Sequence, residues 1–299
     1  MTRTMAFVNF KGGVGKTSLV VNLASCLAHE LDRRVLVVDC DAQCNASIWL
    51  AGPTAFVSRL EANPQHSLHG LLTGHADALE TVWKSPIKHR QHLAVPNLDL
   101  MPAAPELMDI EDDFAPEGGM NAVYAAFYRA IKKLWPKYDY ILFDCPPNFY
   151  RATRCAVFAS REIYIPCHPD ALSNMGIAPL RRKLVAFYAD SSRVQRRLGK
   201  SYAFAKVRGA IINREPTSAN IEESVEKISL KLKTLRDFPD IVADDVDVMP
   251  VRIRQTIEAS RVVEGSIPAV LANGNSQLTN DYRQLAFYID GTGDKYECV

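Results

Sequence analysis

Short apolar runs recur along the chain, and several of them end at a polar or charged residue. Runs of this length and composition predict buried β-strands. Between them lie longer stretches with apolar residues at helical spacing, such as residues 17–31 and 120–135. The repeated alternation predicts an α/β fold, a mostly parallel sheet covered by helices on both faces. The predicted strands are residues 4–9, 35–39, 98–101, 140–144, 162–165, 207–212 and 246–249.

The chain carries no sign of a division into separate domains. No linker rich in Pro, Gly or Ser interrupts it, so we predict one domain over residues 1–299. The segment from about residue 46 to 97 is less regular and contains five histidines at irregular spacings. Zinc sites usually need a complete ligand set at regular spacing, which this segment lacks. We therefore interpret residues 46–97 as an insertion that faces a partner.

Composition excludes several classes of protein. The chain has 299 residues, 47% hydrophobic and 23% charged, which is enough apolar material for a large core. Its 35 basic and 34 acidic residues nearly cancel, so any nucleic-acid contact must come from local clusters of charge. The seven cysteines include no CxxC pair, and no apolar run approaches the roughly 20 residues that span a bilayer. We expect a soluble cytoplasmic protein without membrane attachment.

A glycine-rich loop joins the first predicted strand to the first predicted helix. Its backbone N–H groups and the helix N-terminus favour a bound phosphate. Lys16 would reach the β- and γ-phosphate oxygens, and the Thr17 hydroxyl would bind Mg²⁺. Phe10 stands where the strict GxxxxGK[ST] pattern requires glycine, and a flexible turn preceding a lysine is the alternative reading. The predicted nucleotide contacts are Gly12, Gly13, Val14, Gly15, Lys16, Thr17 and Ser18.

A second lysine, Lys11, opens this loop and makes the pattern Lys-Gly-Gly-Val-Gly-Lys-Thr. This pattern resembles the deviant Walker A motif of the ParA/MinD family of ATPases, which have the P-loop NTPase fold. The resemblance extends over nearly the whole chain and implies ATP and Mg²⁺ as cofactors. It also implies a homodimer that encloses two nucleotides. In such a dimer Lys11 would act catalytically by reaching the phosphates bound to the partner subunit.

Two carboxylates follow predicted strands at positions that match this family. Residues 37–45 resemble its switch I segment, DxDPQGN, with Ala42 and Cys44 replacing the family's Pro and Gly. The resemblance implies that Asp41 positions the attacking water beside Mg²⁺, which suits a reaction dominated by positioning. Residues 139–147 resemble the Walker B segment, and Asp144 would hold the metal. The two replacements leave the rate of hydrolysis open.

Two further positions are implied to contact the nucleotide. Asn213 closes a predicted strand where the family has an adenine-binding side chain, although an ordinary turn-forming Asn is the alternative. Pro250 belongs to a stretch, residues 249–260, that matches the family in order along the chain.

A basic cluster is the sequence's one strong hint of a nucleic-acid partner. Residues 181–208 contain nine basic residues and one acidic residue in a chain of net charge +1. Such a cluster would bind phosphates without reading sequence, although a merely solvated helix face is the alternative. By resemblance Arg254 matches a DNA-contacting arginine of chromosomal relatives. The predicted DNA contacts are Arg181, Arg182, Arg193, Arg196, Arg197 and Arg254.

Two functions fit these features. The first is a ParA-type partition ATPase whose ATP-bound dimer holds DNA non-specifically until hydrolysis, stimulated by a partner protein, releases it. The first predicted strand starts within ten residues of Met1, so we expect no N-terminal helix-turn-helix domain. The second is an ATPase that positions or assembles a protein cargo without binding DNA. ATP-dependent, salt-sensitive binding to non-specific duplex would distinguish the two.

Lys16→Ala should abolish nucleotide binding, because it removes the charge that neutralises the β- and γ-phosphate oxygens. Titration with a fluorescent ATP analogue measures the effect, and Lys137→Ala serves as a control outside the predicted loop. Wild-type affinity in Lys16→Ala would show that the phosphate site is assigned wrongly.

Overall fold

The structure is a computed structural model that describes residues 1–87, 95–112, 119–170, 176–199, 201–216, 221–256 and 267–292. Its centre is a parallel β-sheet with the strand order β3-β2-β4-β1-β5-β6-β7, and a short strand β8 pairs with β6. The strands are β1 (Arg3–Phe7), β2 (Val35–Asp39), β3 (Leu98–Met101), β4 (Tyr140–Asp144), β5 (Glu162–Cys167), β6 (Lys206–Glu215), β7 (Val242–Val248) and β8 (Ile253–Arg254).

Helices alternate with these strands, as the hydrophobic pattern predicts. They are α1 (Lys16–His29), α2 (Asn45–Ala51), α3 (Pro53–Ala62), α4 (Leu68–Leu72), α5 (Leu107–Asp112), α6 (Met120–Leu134), α7 (Arg151–Ala159), α8 (Ile177–Leu198), α9 (Glu222–Lys233), α10 (Ala269–Ala272) and α11 (Gln277–Asp290).

Helices cover both faces of the sheet. Every residue of β2 and β4 is buried, although successive side chains of a strand point to opposite faces. Helix α1 packs against α11, while α6 packs against α7 and α8. The predicted fold class is therefore confirmed, and the predicted bounds of β2, β3 and β4 agree with the structure residue for residue.

An aromatic cluster attaches α8 to the rest of the protein. Phe158 of α7 is fully buried and stacks on Tyr202 with ring centroids 4.7 Å apart. Phe187 of α8 meets Phe158 at 6.3 Å and Tyr124 of α6 at 5.1 Å. Rings packed edge-to-face and stacked contribute beyond the area they bury. This cluster leaves the opposite side of α8 exposed to solvent.

The irregular segment 46–97 contributes to the core wherever the structure describes it. Trp49, Phe56, Leu68 and Trp83 are buried, and Trp83 pairs with Leu100 of β3 in an isolated antiparallel bridge. Buried side chains from Met5 to Ile289 form one continuous cluster, which is compatible with the predicted single domain. The partner-facing role of this segment stays a prediction. Its described histidines join no cluster that could hold a metal ion.

Candidate nucleotide-binding site

The glycine-rich loop lies at the carboxyl end of β1, which pairs with both β4 and β5. Gly13 and Gly15 adopt left-handed conformations with φ of 76°, which other residues rarely do. A Cβ atom at Gly15 would also collide with the amide of Asn213. Gly15 is the N-cap of α1 and supplies no side chain, so the first N–H groups of the helix are not capped by the chain itself. Such a helix start is suited to an anion such as phosphate.

Lys16 supplies the positive charge inside this loop. Its side chain is largely buried, and its Nζ lies 3.5 Å from the Lys11 carbonyl oxygen. Burial lowers the pKa of Lys16, while Asp144 and Asp41 nearby favour its charged form. The ammonium group is thus held close to the carboxylates of Asp144, which ends β4, and Asp41, which follows β2.

Asp144 ends β4 and is 1% exposed. Neither of its oxygens accepts a well-formed hydrogen bond from the described residues. Burial, and then repulsion by Asp39, raises its pKa well above the ordinary value, although the nearby Thr17 hydroxyl and Lys16 ammonium favour the charged form. A buried carboxylate without donors is costly unless something binds it.

These groups fit a magnesium ion. Mg²⁺ prefers oxygen ligands and usually binds one or two carboxylates or hydroxyls, together with nucleotide phosphates and water. Asp144 and the Thr17 hydroxyl would hold it, as the sequence predicts, with Asp41 nearby. The ion would supply a charge that compensates the buried carboxylate and the phosphates.

Asp39 is a buried carboxylate whose role the sequence did not reveal. It pairs in register with Asp144 across β2 and β4. Its Oδ2 accepts hydrogen bonds from the Ser47 N–H at 2.8 Å and the Ser47 hydroxyl at 2.7 Å, and its Oδ1 accepts one from the Asp41 N–H at 3.1 Å. Burial raises the pKa of Asp39 to about 6, although the hydrogen bonds from Ser47 act to lower this pKa. Asp39 therefore holds the start of α2 and shapes the segment that presents Asp41.

Asp41 itself lies in a tight turn. Its Oδ1 accepts a hydrogen bond from the Gln43 N–H at 3.0 Å, and its carbonyl oxygen accepts one from the Cys44 N–H at 2.8 Å. Cys44 has φ of 56°, a left-handed conformation that glycine adopts without strain. The glycine found here in the family's switch I segment would adopt this turn without strain. Cys44 adopts the same turn at a cost of about 1 kcal/mol.

Asn213 connects β6 to the phosphate loop. Its Nδ2 donates hydrogen bonds to the carbonyl oxygens of Val14 at 2.9 Å and Gly15 at 3.0 Å. The side chain is buried, so here it positions the loop; its predicted contact with adenine stays a prediction. The backbone of the next residue, Arg214, is left-handed with φ of 58°, and its side chain lies next to Gly15. No sequence motif predicted this feature. Pro250 is exposed just after β7, and its predicted nucleotide contact also stays a prediction.

The predicted DNA contacts divide into two groups. Arg182, Arg193, Arg196 and Arg197 are exposed on α8, and at 100° per residue they span about 100° of its circumference. We call these four residues the basic face of α8.

Arg181 and Arg254 are engaged within the chain. The Arg181 guanidinium lies 5.2 Å from the centre of the Phe238 ring. Arg254 forms a two-pronged ion pair with the buried Asp281, at 2.8 and 2.9 Å. These contacts give both residues structural roles, and their predicted contacts with DNA stay predictions.

The loop, the strand order and the two strand-end carboxylates define a P-loop protein. A family model described as an AAA domain matches residues 2–195, more than half of the chain. The chain belongs to this family and, with the relatives below, to the ParA/MinD family of P-loop ATPases, as its loop motif predicts. None of the helices in the described residues is long and apolar enough to cross a membrane.

Two bacterial relatives are similar to this chain. The sporulation initiation inhibitor protein Soj of Bacillus subtilis is 32% identical over 180 residues, which are 60% of this chain and 64% of Soj. The match therefore spans less than two thirds of that protein. The chromosome partitioning protein ParA of Caulobacter vibrioides is 26% identical over 253 residues, covering 85% of this chain and 83% of ParA.

A solved structure shares the whole fold. The plasmid partition protein of Borrelia burgdorferi bound to AMPPNP superposes with a TM-score of 0.67 and covers 97% of this chain and 100% of its own. Its sequence identity is 18%, so this likeness shows the fold alone.

Asp144→Asn should stabilise the nucleotide-free chain in metal-free buffer at pH 8. An acid whose pKa is raised on folding destabilises the fold once it ionises, so the penalty is absent at low pH and grows as pH rises. The neutral amide removes it, and we expect a gain of about 1 kcal/mol in the free energy of unfolding. Urea denaturation with EDTA measures this gain.

Asp244→Asn, at an exposed position, is the matched control and should change stability by less than about 0.5 kcal/mol. A loss of stability in Asp144→Asn would mean that the carboxylate makes favourable contacts in the folded chain.

Proposed function

We propose that this protein is an ATPase that binds Mg-ATP in the phosphate loop and dimerises when ATP is bound. The observation that carries the proposal is the buried Asp144 beside Lys16 and Thr17 at the start of α1, because its carboxylate accepts no well-formed hydrogen bond from the described residues. A carboxylate in this setting needs a cation, and the helix start and Lys16 need an anion. Mg²⁺ and a nucleotide triphosphate together meet both needs. The AMPPNP-bound plasmid partition protein of the same fold supports this choice of ligand.

Hydrolysis is proposed to depend on Asp41. The turn after β2 holds its carboxylate near Lys16, where it can orient a water molecule toward the γ-phosphate. Phosphoryl transfer requires alignment more than a strong base. The reaction is expected to be slow alone and faster when a partner protein completes the site.

DNA is proposed as the second ligand, bound by the basic face of α8. The four arginines of this face are exposed on one side of one helix, while Leu184 and Phe187 on the other side are buried in the core. Such a face neutralises phosphates without reading bases, which suits non-specific binding. The partition roles named for ParA of C. vibrioides and the B. burgdorferi protein support this choice. A dimer would present two such faces, and the protein would associate with the nucleoid when ATP is bound.

Lys11→Ala should bind ATP nearly as well as wild type and yet remain monomeric and fail to hydrolyse it. A lysine that acts across the interface matters when two chains meet, because each must bring a cation to the other's clustered phosphates. Light scattering with ATP and Mg²⁺ measures the mass in solution. A stable ATP dimer of Lys11→Ala would exclude the role across the interface, and loss of ATP binding by the monomer would make Lys11 part of its own phosphate loop.

Arg193→Gln/Arg196→Gln should weaken ATP-dependent binding to non-specific duplex. The slope of log K against log salt should become shallower by about 2, since two phosphate contacts are lost. Arg59→Gln/Arg129→Gln removes the same charge from exposed positions on α3 and α6 and should leave the slope unchanged. Equal effects in both variants would show that only net charge matters, and no binding by wild type would favour a protein cargo instead.

A further inference from the structure

Lys11 of the phosphate loop is engaged within its own chain. Its Nζ lies 2.7 Å from Oδ2 of Asp170, which follows β5. The proposed function requires this same ammonium group to reach a nucleotide held by a second copy of the chain. The two contacts compete for one side chain.

The fold brings the two residues together through neighbouring strands. Strands β1 and β5 run parallel, so Lys11 and Asp170 both emerge at the carboxyl edge of the sheet. Asn9 connects the two strand ends: its Nδ2 donates to the Pro166 carbonyl oxygen at 2.7 Å, and its Oδ1 accepts from the Lys11 N–H at 2.9 Å. Asn9 thus fixes the backbone of Lys11 next to the end of β5, where the side chain of Lys11 meets Asp170.

Asp170 also has a second ionisable neighbour. Nδ1 of His168 lies 3.9 Å from Asp170 Oδ2. Burial, and then the charge of Arg214, lowers the pKa of His168, so the ring is neutral at neutral pH. Of the two described neighbours of Asp170, Lys11 therefore carries the positive charge under these conditions.

We propose that Asp170 is a latch that holds Lys11 within its own subunit and so opposes ATP-dependent association. This inference rests on the proposed function, because it assumes that Lys11 acts across the dimer interface. The Lys11–Asp170 ion pair must open in both chains before each lysine can reach the other's phosphates. Asp170 thereby sets the concentration of protein at which the dimer forms.

The exposure of the pair makes such a latch reversible. The side chains of Lys11 and Asp170 are 26% and 43% exposed. Water can solvate the carboxylate after Lys11 leaves, so opening costs far less than breaking a buried pair. A partly exposed pair of this kind shifts an equilibrium by about threefold. Two pairs open for each dimer, so the dissociation constant should change by about tenfold.

The ion pair can be tested first in the nucleotide-free chain. Asp170→Asn should increase the rate at which an amine-acetylating reagent modifies Lys11 by about threefold, measured lysine by lysine by mass spectrometry. Asp77→Asn is the matched control, because Asp77 is 44% exposed and pairs with Lys133 at 2.9 Å. The Asp77→Asn substitution should increase the acetylation rate of Lys133 and leave the acetylation rate of Lys11 unchanged. An unchanged Lys11 rate in Asp170→Asn would overturn the inference.

The effect on association is tested with AMPPNP and Mg²⁺ by sedimentation velocity over a range of protein concentrations. Asp170→Asn should lower the dimer dissociation constant about tenfold, and Asp77→Asn should not. In the Lys11→Ala background, Asp170→Asn should have no effect, because the latch has nothing to hold.

The outcomes separate this inference from the proposed function. If wild type dimerises and Asp170→Asn dimerises equally well or more weakly, the latch alone is wrong and the ATPase proposal stands. If wild type does not associate with AMPPNP at any concentration, the proposed dimer is wrong and the latch falls with it. Tighter association of Asp170→Asn that persists in the Lys11→Ala background would show that Asp170 repels the partner directly, which also overturns the latch.

Discussion

The site depends on the parallel register of β2 and β4, which brings Asp39 and Asp144 side by side at the edge of the sheet. Two carboxylates buried this close repel each other, and burial makes their charges costlier still. The fold meets this cost in two different ways. Asp39 receives hydrogen bonds from the chain, whereas Asp144 faces Lys16 and Thr17 and receives none that is well formed from the described residues.

This difference separates a structural carboxylate, Asp39, from a candidate ligand-binding one, Asp144. Ser47 connects Asp39 to the rest of the core, because its hydroxyl also accepts a hydrogen bond from the Ala103 N–H at 2.9 Å. The segment carrying Asp41 therefore starts from a rigid base. Among the described residues Asp144 has no comparable partner, so an incoming cation would relieve an existing penalty instead of displacing an internal contact.

The two lysines of the phosphate loop differ in the same manner. Lys16 is largely buried and points toward the carboxylates, which suits a permanent contact with bound phosphate. Lys11 is partly exposed and paired with Asp170, which suits a contact that can be exchanged. Under the proposed function, one loop would thus combine a fixed charge for binding with a movable charge for association. The basic face of α8 lies on a separate helix, held by the aromatic cluster around Phe158.

The sequence by itself determined the parallel α/β fold, the phosphate loop and the two candidate ligands Lys16 and Asp144. These features rest on local rules: apolar runs form buried strands, and glycines at positions 13 and 15 allow left-handed backbone. Only the tertiary structure decided which carboxylate is satisfied, that Asn213 holds the phosphate loop, and that Arg254 pairs with the buried Asp281. The physical reason is that hydrogen-bond and charge partners are chosen by the packing of segments far apart in the chain. A local pattern of residues therefore cannot predict which distant side chains will come into contact.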